Sequence, residues 1–76
     1  MKVYPNPAKD HVLIKMNRIP QKVSLVNSTG ADFDLSFKPT DDGFYVNLPS
    51  KLSGGVYYLK VKLGTEAYQS QLIILP

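Results

Sequence analysis

Apolar and polar residues alternate one by one along most of this chain of 76 residues. The pattern is clearest in residues 32–38, where Phe33, Leu35 and Phe37 are separated by polar or charged residues. A period of two is typical of a β-strand with one buried face, and no segment repeats with a helical period. The alternation therefore predicts an all-β protein.

Turn-forming residues divide this alternating chain into short strands. Turn signals such as Ser28-Thr29-Gly30 recur about every 8–12 residues, which is typical of a small antiparallel sandwich or barrel. Glycine supplies the positive φ that tight hairpin turns need. We expect a seven-stranded antiparallel, immunoglobulin-like β-sandwich, with strands at residues 3–4, 11–15, 22–27, 32–38, 43–48, 56–63 and 67–75.

One face of each predicted strand is apolar and indicates the core. The last segment differs, because Leu72 to Leu75 is apolar on both faces. That composition favours a central strand that is covered on both sides. The core residues expected from the alternation are Val12, Ile14, Val23, Leu25, Phe33, Leu35, Phe37, Phe44, Val46, Leu59, Val61, Leu72 and Ile74.

The length leaves room for one small core. A chain of this size buries only about 60% of the surface that it exposes when unfolded. We therefore expect a single domain over residues 1–76 and exclude an enzyme with a deep pocket beside its own core. No leader peptide is expected, since Lys2 is soon followed by Pro5 and Pro7 and not by an apolar stretch.

The residues for catalysis and metal binding are too few or too scattered to predict either. The only histidine, His11, follows Asp10, but no serine lies in a nucleophile-elbow sequence beside them. The absence of cysteine excludes thiolate chemistry. Asp32 and Asp34 share one strand face without a calcium-loop pattern. We expect no enzyme activity, cofactor or metal.

The net charge of +3 is spread along the chain and forms no dense basic run. Nucleic acid is therefore not expected as a partner. Tyr58 shares a strand face with Lys60 and Lys62, and an exposed aromatic ring beside cations can stack on a flat ligand. A stand-alone carbohydrate-binding or adhesion module therefore stays open as an alternative function.

The end of the chain, residues 71–76, is unusually apolar for a terminus. Chain ends usually fray unless they are tied into a sheet, so this segment either completes the core or is presented to another protein. An edge strand would offer unpaired backbone groups for strand addition. The same property predicts a weak dimer through strand edges.

The order of these features resembles the C-terminal sorting domain of the type IX secretion system of Bacteroidetes. That family opens with a Val-Tyr-Pro-Asn-Pro block, which residues 3–7 match through Tyr4, Pro5, Asn6 and Pro7. A strand then ends in a turn at Gly30. A Leu-x-x-Gly-x-Tyr block follows at residues 52–57, and a last strand at residues 71–74. Family members commonly carry lysine near the last strand and at the end, where this chain has Gln71 and Pro76.

The resemblance implies a non-catalytic secretion signal that lies at the C-terminus of a larger exported protein. Its expected partners are an N-terminal cargo domain, the outer-membrane translocon and a sortase-like surface peptidase that removes the domain. The cargo would pass through the periplasm and end at the cell surface or outside the cell. The residues expected to contact the translocon are Gly55, Val56, Tyr57, Gln71, Leu72, Ile73, Ile74, Leu75 and Pro76.

Overall fold

The computed structural model describes residues 1–76 and contains eight strands. It contains no helix long and apolar enough to span a membrane. The strands are β1 (Lys2–Tyr4), β2 (His11–Lys15), β3 (Lys22–Val26), β4 (Asp32–Leu35), β5 (Phe37–Pro39), β6 (Gly43–Asn47), β7 (Gly55–Leu63) and β8 (Glu66–Ile74).

The strands form two antiparallel sheets of four strands each. The first has the order β1-β2-β6-β5 and the second the order β4-β3-β7-β8. Apolar side chains of both sheets, such as Val12 and Val46 from the first and Leu25 and Leu59 from the second, form one buried cluster. This arrangement confirms the predicted antiparallel sandwich.

The predicted strand 32–38 is two strands in the structure, which explains why there are eight strands and not seven. Leu35 pairs with Val23 in the second sheet, whereas Phe37 pairs with Val46 in the first. The chain therefore crosses between the sheets at Ser36. A period-two pattern looks the same on both sides of such a crossing, so the alternation did not reveal it.

The predicted core is confirmed except at two phenylalanines. Phe33 lies opposite Leu25 on β4, but β4 is an edge strand, so the Phe33 ring lies at the rim of the sandwich and is exposed. Phe37 is only partly buried and packs edge-on against Phe44, with 5.6 Å between ring centroids. Ala8 is buried without having been predicted in the core, because it lies outside every alternating segment.

Gly43 allows β6 to approach β2 closely. A Cβ atom at this position would lie 1.8 Å from the carbonyl oxygen of Ile14. Such a distance is far inside van der Waals contact, so any side chain would push the two strands apart. Glycine is therefore required here for lack of space and not for its backbone conformation.

The terminal strand is an edge strand, so its predicted central position was wrong. β8 pairs with β7 on one side only, through a hairpin of nine residue pairs closed at Gly64. Its side chains alternate between the core and the solvent: Leu72 and Ile74 are buried, while Ile73 and Leu75 are exposed. The apolar residues on its outer face thus lie in solvent.

Candidate recognition surface

The two segments predicted to contact the translocon lie side by side at one end of the β7–β8 hairpin. Gly55 pairs with Ile74, Val56 with Ile73, and Tyr57 with Leu72. Leu75 and Pro76 follow directly after this paired region. The antiparallel register thus unites residues that are far apart in the sequence.

The alternation of the hairpin separates these residues into a buried and an exposed group. Tyr57, Leu72 and Ile74 are buried in the core and hold the hairpin on the sandwich. Val56 and Ile73 point to the opposite face and keep 43% and 42% of their surface exposed. Gln71 and Leu75 beside this pair are exposed as well, and so are Gly55 and Pro76 at the border.

The loop before β7 is fixed to the end of the chain. The Tyr57 hydroxyl donates a hydrogen bond of 2.7 Å to the carbonyl oxygen of Ser53. Gly54 lies against Pro76, since a Cβ atom at Gly54 would be 2.9 Å from the Pro76 Cδ atom. Gly55 has φ of 152°, a conformation that side-chain-bearing residues rarely adopt. These contacts order the last residue and the entry to β7 together.

The N-terminal motif reaches the same end of the hairpin. The Asn6 side chain donates from Nδ2 to the Gln71 carbonyl oxygen at 3.1 Å, and its Oδ1 accepts from the Ile73 backbone N–H at 3.0 Å. Ala8 donates its backbone N–H to the Ile73 carbonyl and accepts from the Leu75 N–H, both at 2.8 Å. We call residues 6–8 the edge strap. The sequence pattern does not predict this contact.

The edge strap changes how a partner can approach β8. It occupies backbone groups of Gln71, Ile73 and Leu75 on the side of β8 that faces away from β7. The expectation of unpaired backbone groups along the terminal strand was therefore wrong for this stretch. By the alternation of antiparallel bonding, Ala67 and Gln69 point their backbone groups to the same side, where no strap covers them.

Gly30 lies in the β3–β4 turn, close to this end of the second sheet. The Asn27 side chain orders the turn by accepting hydrogen bonds from the backbone N–H groups of Thr29 and Ala31. Gly30 has φ of 90°. The strand before the turn ends at Val26, which pairs with Tyr58. Gly30 therefore shapes the border of the surface and does not line its centre.

The outer face of the second sheet changes character along its length. At the end held by the edge strap, Val56, Tyr58 and Ile73 are exposed side chains on neighbouring positions of β7 and β8. Toward the other end, Lys60 and Lys62 follow on the same face of β7. We call the exposed apolar residues Val56, Tyr58, Ile73 and Leu75 the apolar patch.

The comparison with known families identifies the domain. Residues 2–75, nearly the whole chain, match the family described as the secretion system C-terminal sorting domain. The chain belongs to this family. Searches of curated proteins and of solved structures return no match.

As a sorting domain of the type IX secretion system, the chain carries a signal for export to the cell surface or the extracellular space. This role requires an interaction with the secretion machinery and a cargo to which the signal is attached.

The sequence candidates for chemistry lie away from the apolar patch. His11 Nδ1 is 2.7 Å from the Asp10 carboxylate, and the His11 ring stacks on Tyr45 in the first sheet. The hydrogen bond with His11 lowers the pKa of Asp10 below its ordinary value. No group of three or more His, Asp or Glu side chains is arranged to hold a metal ion. Asp34 instead contacts Lys22 at 3.2 Å.

A second cluster orders the far tip of the β7–β8 hairpin. The Tyr68 hydroxyl donates to Glu66 Oε2 at 2.8 Å, and Arg18 lies 3.3 Å from Glu66 Oε1. The hydrogen bond from Tyr68, followed by that from Arg18, lowers the pKa of Glu66. The same contact with Glu66 raises the pKa of Tyr68. This cluster fixes the loop before β3 to the tip of the hairpin.

Proposed function

We propose that the sorting domain directs an N-terminally fused cargo through the outer-membrane translocon by presenting the apolar patch to a translocon protein. Val56, Ile73 and Leu75 supply the apolar contacts, and Gln71 supplies a polar contact beside them. Gly55, Tyr57, Leu72, Ile74 and Pro76 support this surface from within or from its border. The cargo crosses the periplasm first, and a sortase-like peptidase at the cell surface then removes the domain.

The observation that supports this proposal most directly is the exposure of Val56 and Ile73 as a directly opposed pair. Contiguous exposed apolar side chains on a small soluble domain mark interaction sites, because water contact with them is unfavourable. The pair lies on two strands of one hairpin, which makes its geometry rigid. A rigid patch loses little conformational entropy when a partner binds.

Fusion of residues 1–76 to the C-terminus of a periplasmic reporter tests the proposal. In a strain with a functional type IX system, we expect the fused reporter at the cell surface or in the medium. The unfused reporter should stay in the periplasm, and so should the fusion in a strain that lacks the translocon. Retention of the intact fusion in the periplasm of the competent strain would refute the proposal.

Export of the fusion, measured together with polysaccharide binding by the isolated domain, distinguishes sorting from the alternative function, a carbohydrate-binding or adhesion module. Tyr58 is exposed on the outer face of the second sheet and is the ring that such a module would use. Tight binding of the isolated domain to a polysaccharide, abolished by Tyr58→Ala, would favour the module. Export of the reporter without polysaccharide binding would favour sorting.

A further inference from the structure

We propose that Asn6 is a positioning residue that holds the terminal strand in place and closes its edge, so that a partner meets side chains and not backbone. The functional half of this inference rests on the proposed role of the apolar patch. The structural half, the closed edge, stands on the hydrogen bonds of the edge strap alone.

The edge strap bonds to β8 as a short parallel strand would. In a parallel ladder, one residue donates to the residue before its partner and accepts from the residue after it. Ala8 follows this rule as the parallel partner of Ile74, because it donates to the Ile73 carbonyl and accepts from the Leu75 N–H. The strap thus continues the second sheet by one residue beyond β8.

The Asn6 side chain repeats the same bonding pattern two residues earlier. Its amide donates to the Gln71 carbonyl and accepts from the Ile73 N–H, which are the two groups that a backbone partner of Leu72 would bond. The side-chain amide therefore stands where a peptide group would stand in a longer strand. Pro5 and Pro7 lack backbone N–H groups and could not supply this donor.

The chemistry of asparagine suits this position better than that of its closest replacements. One acceptor and one donor must lie on the same planar group and face a carbonyl and an N–H of one strand edge. An aspartate at position 6 would keep the acceptor but turn a carboxylate oxygen toward the Gln71 carbonyl. An alanine would leave both backbone groups of β8 without their partner.

Closing this edge has two consequences for recognition. First, strand addition to residues 71–75 is blocked, because the strap already bonds these backbone groups. Second, the strand cannot twist away from the sandwich, so Ile73 and Leu75 keep their outward orientation beside Val56. Asn6 therefore acts on the partner through the strand and does not touch the partner itself.

Amide hydrogen exchange of the whole domain tests the structural half. Asn6→Ala should lower the protection of the Ile73 amide by about fivefold to tenfold, the effect of losing one hydrogen bond. Asn6→Asp keeps the acceptor of this amide and should lower its protection less. The Leu72 amide, which faces β7, should keep its protection. Asn17→Ala is the matched control, because Asn17 is an exposed asparagine in a loop. Unchanged Ile73 protection in Asn6→Ala would overturn the inference.

Export of the reporter fusion tests the functional half, at a temperature where every variant is folded by circular dichroism. We expect both Asn6 variants to export several-fold less reporter than the wild type and than Asn17→Ala. Normal export with an unprotected Ile73 amide would overturn the positioning role of Asn6 but leave the apolar patch as the recognition surface. If variants of the apolar patch lose export and the Asn6 variants do not, the patch is likewise supported and the positioning role of Asn6 is overturned.

Discussion

Gly43 shows at the scale of one residue how closely two neighbouring strands of the first sheet, β2 and β6, approach each other. Its hydrogen faces the Ile14 carbonyl oxygen at a distance that no Cβ atom tolerates. We predict that Gly43→Ala lowers the free energy of unfolding by about 3 kcal/mol or more, because β6 must move away from β2. Urea denaturation measures this loss.

Gly30→Ala is the control for the Gly43 prediction. Gly30 has open space around its Cα atom but a φ of 90°, so alanine there meets only backbone strain. We expect a loss of about 1 kcal/mol at Gly30. Equal losses at the two glycines would mean that β2 and β6 are not as close as the structure places them.

Glu66 gives a second residue-scale prediction, with a defined pH dependence. The hydrogen bonds from Tyr68 and Arg18 lower its pKa in the folded protein. The stabilisation from this shift is therefore present above the pKa of the unfolded chain and is lost as the pH falls through the folded pKa. Tyr68→Phe should raise the Glu66 pKa toward its ordinary value, as measured by NMR titration of the side-chain carboxyl carbon. A Glu66 pKa unmoved by Tyr68→Phe would show that the contact is not formed in solution.

At the scale of an element, the terminal strand β8 places buried side chains that pack in the core next to exposed side chains that we propose for recognition. Leu72 is fully buried and Ile73 is 42% exposed, although the two residues are adjacent and similar in size. Leu72 and Ile74 hold the strand on the core, while Ile73 and the following Leu75 belong to the apolar patch. Folding and recognition can therefore be separated by substitutions one position apart.

We predict that Leu72→Ala destabilises the domain by about 2–5 kcal/mol, because it leaves a cavity in the core. Ile73→Ala should cost less than about 1 kcal/mol, since its side chain is already partly in water and its removal leaves no cavity in the core. Thermal or urea denaturation of the two variants measures this contrast. Similar losses for both would contradict the exposure of the outer face of β8.

The alternation of the sequence was sufficient to predict the strands and most of the core, because a half-buried strand must alternate. It could not show that the chain changes sheets at Ser36, since the pattern of Leu35 and Phe37 is the same in one strand or two. Nor could it distinguish a central strand from an edge strand with an apolar outer face, which is what β8 is.

The candidate recognition surface was predictable only in part, because some of its contacts join residues that are far apart in the sequence. The resemblance to the family singled out residues 55–57 and 71–76, and the hairpin register places residues 55–57 beside residues 72–74. The Asn6 side chain bonds Gln71, which lies 65 positions further along the chain, and Ile73, which lies 67 positions further. No local pattern records such a contact, so Asn6 was identified as part of a motif without its structural role.

The edge strands of the two sheets determine where two copies of the domain could pair through their backbones. β1 has only 3 residues, β4 carries Asp32 and Asp34, β5 ends at Pro39, and β8 is partly closed by the edge strap. Charges, proline and covered edges are the devices by which natural sheets avoid edge-to-edge pairing. The proposed dimer through strand edges is therefore confined to short stretches, such as Ala67 to Gln69.

At the scale of the whole molecule, the small core makes the terminal strand indispensable. Deleting residues 72–76 removes the buried side chains of Leu72 and Ile74 and the partners of the edge strap. We predict that the truncated domain shows no cooperative unfolding transition in a thermal melt. A truncated domain that still melts cooperatively would show that β8 is not needed for the fold.

The truncation therefore cannot reveal recognition, because a protein that fails to fold also fails to be exported. Substitutions on the exposed face avoid this difficulty. Ile73→Asp places a charge in the apolar patch without disturbing the core. Gln69→Asp is its matched control, with the same new charge on the same face of the same strand, at the position paired with Lys60.

Export of a reporter that carries these two variants tests most directly the claim that the apolar patch is the recognition surface. With both domains shown to be folded, we predict that the Ile73→Asp fusion accumulates in the periplasm while the Gln69→Asp fusion reaches the cell surface or the medium. Equal export of the two fusions, at the level of the unmodified domain, would contradict the account.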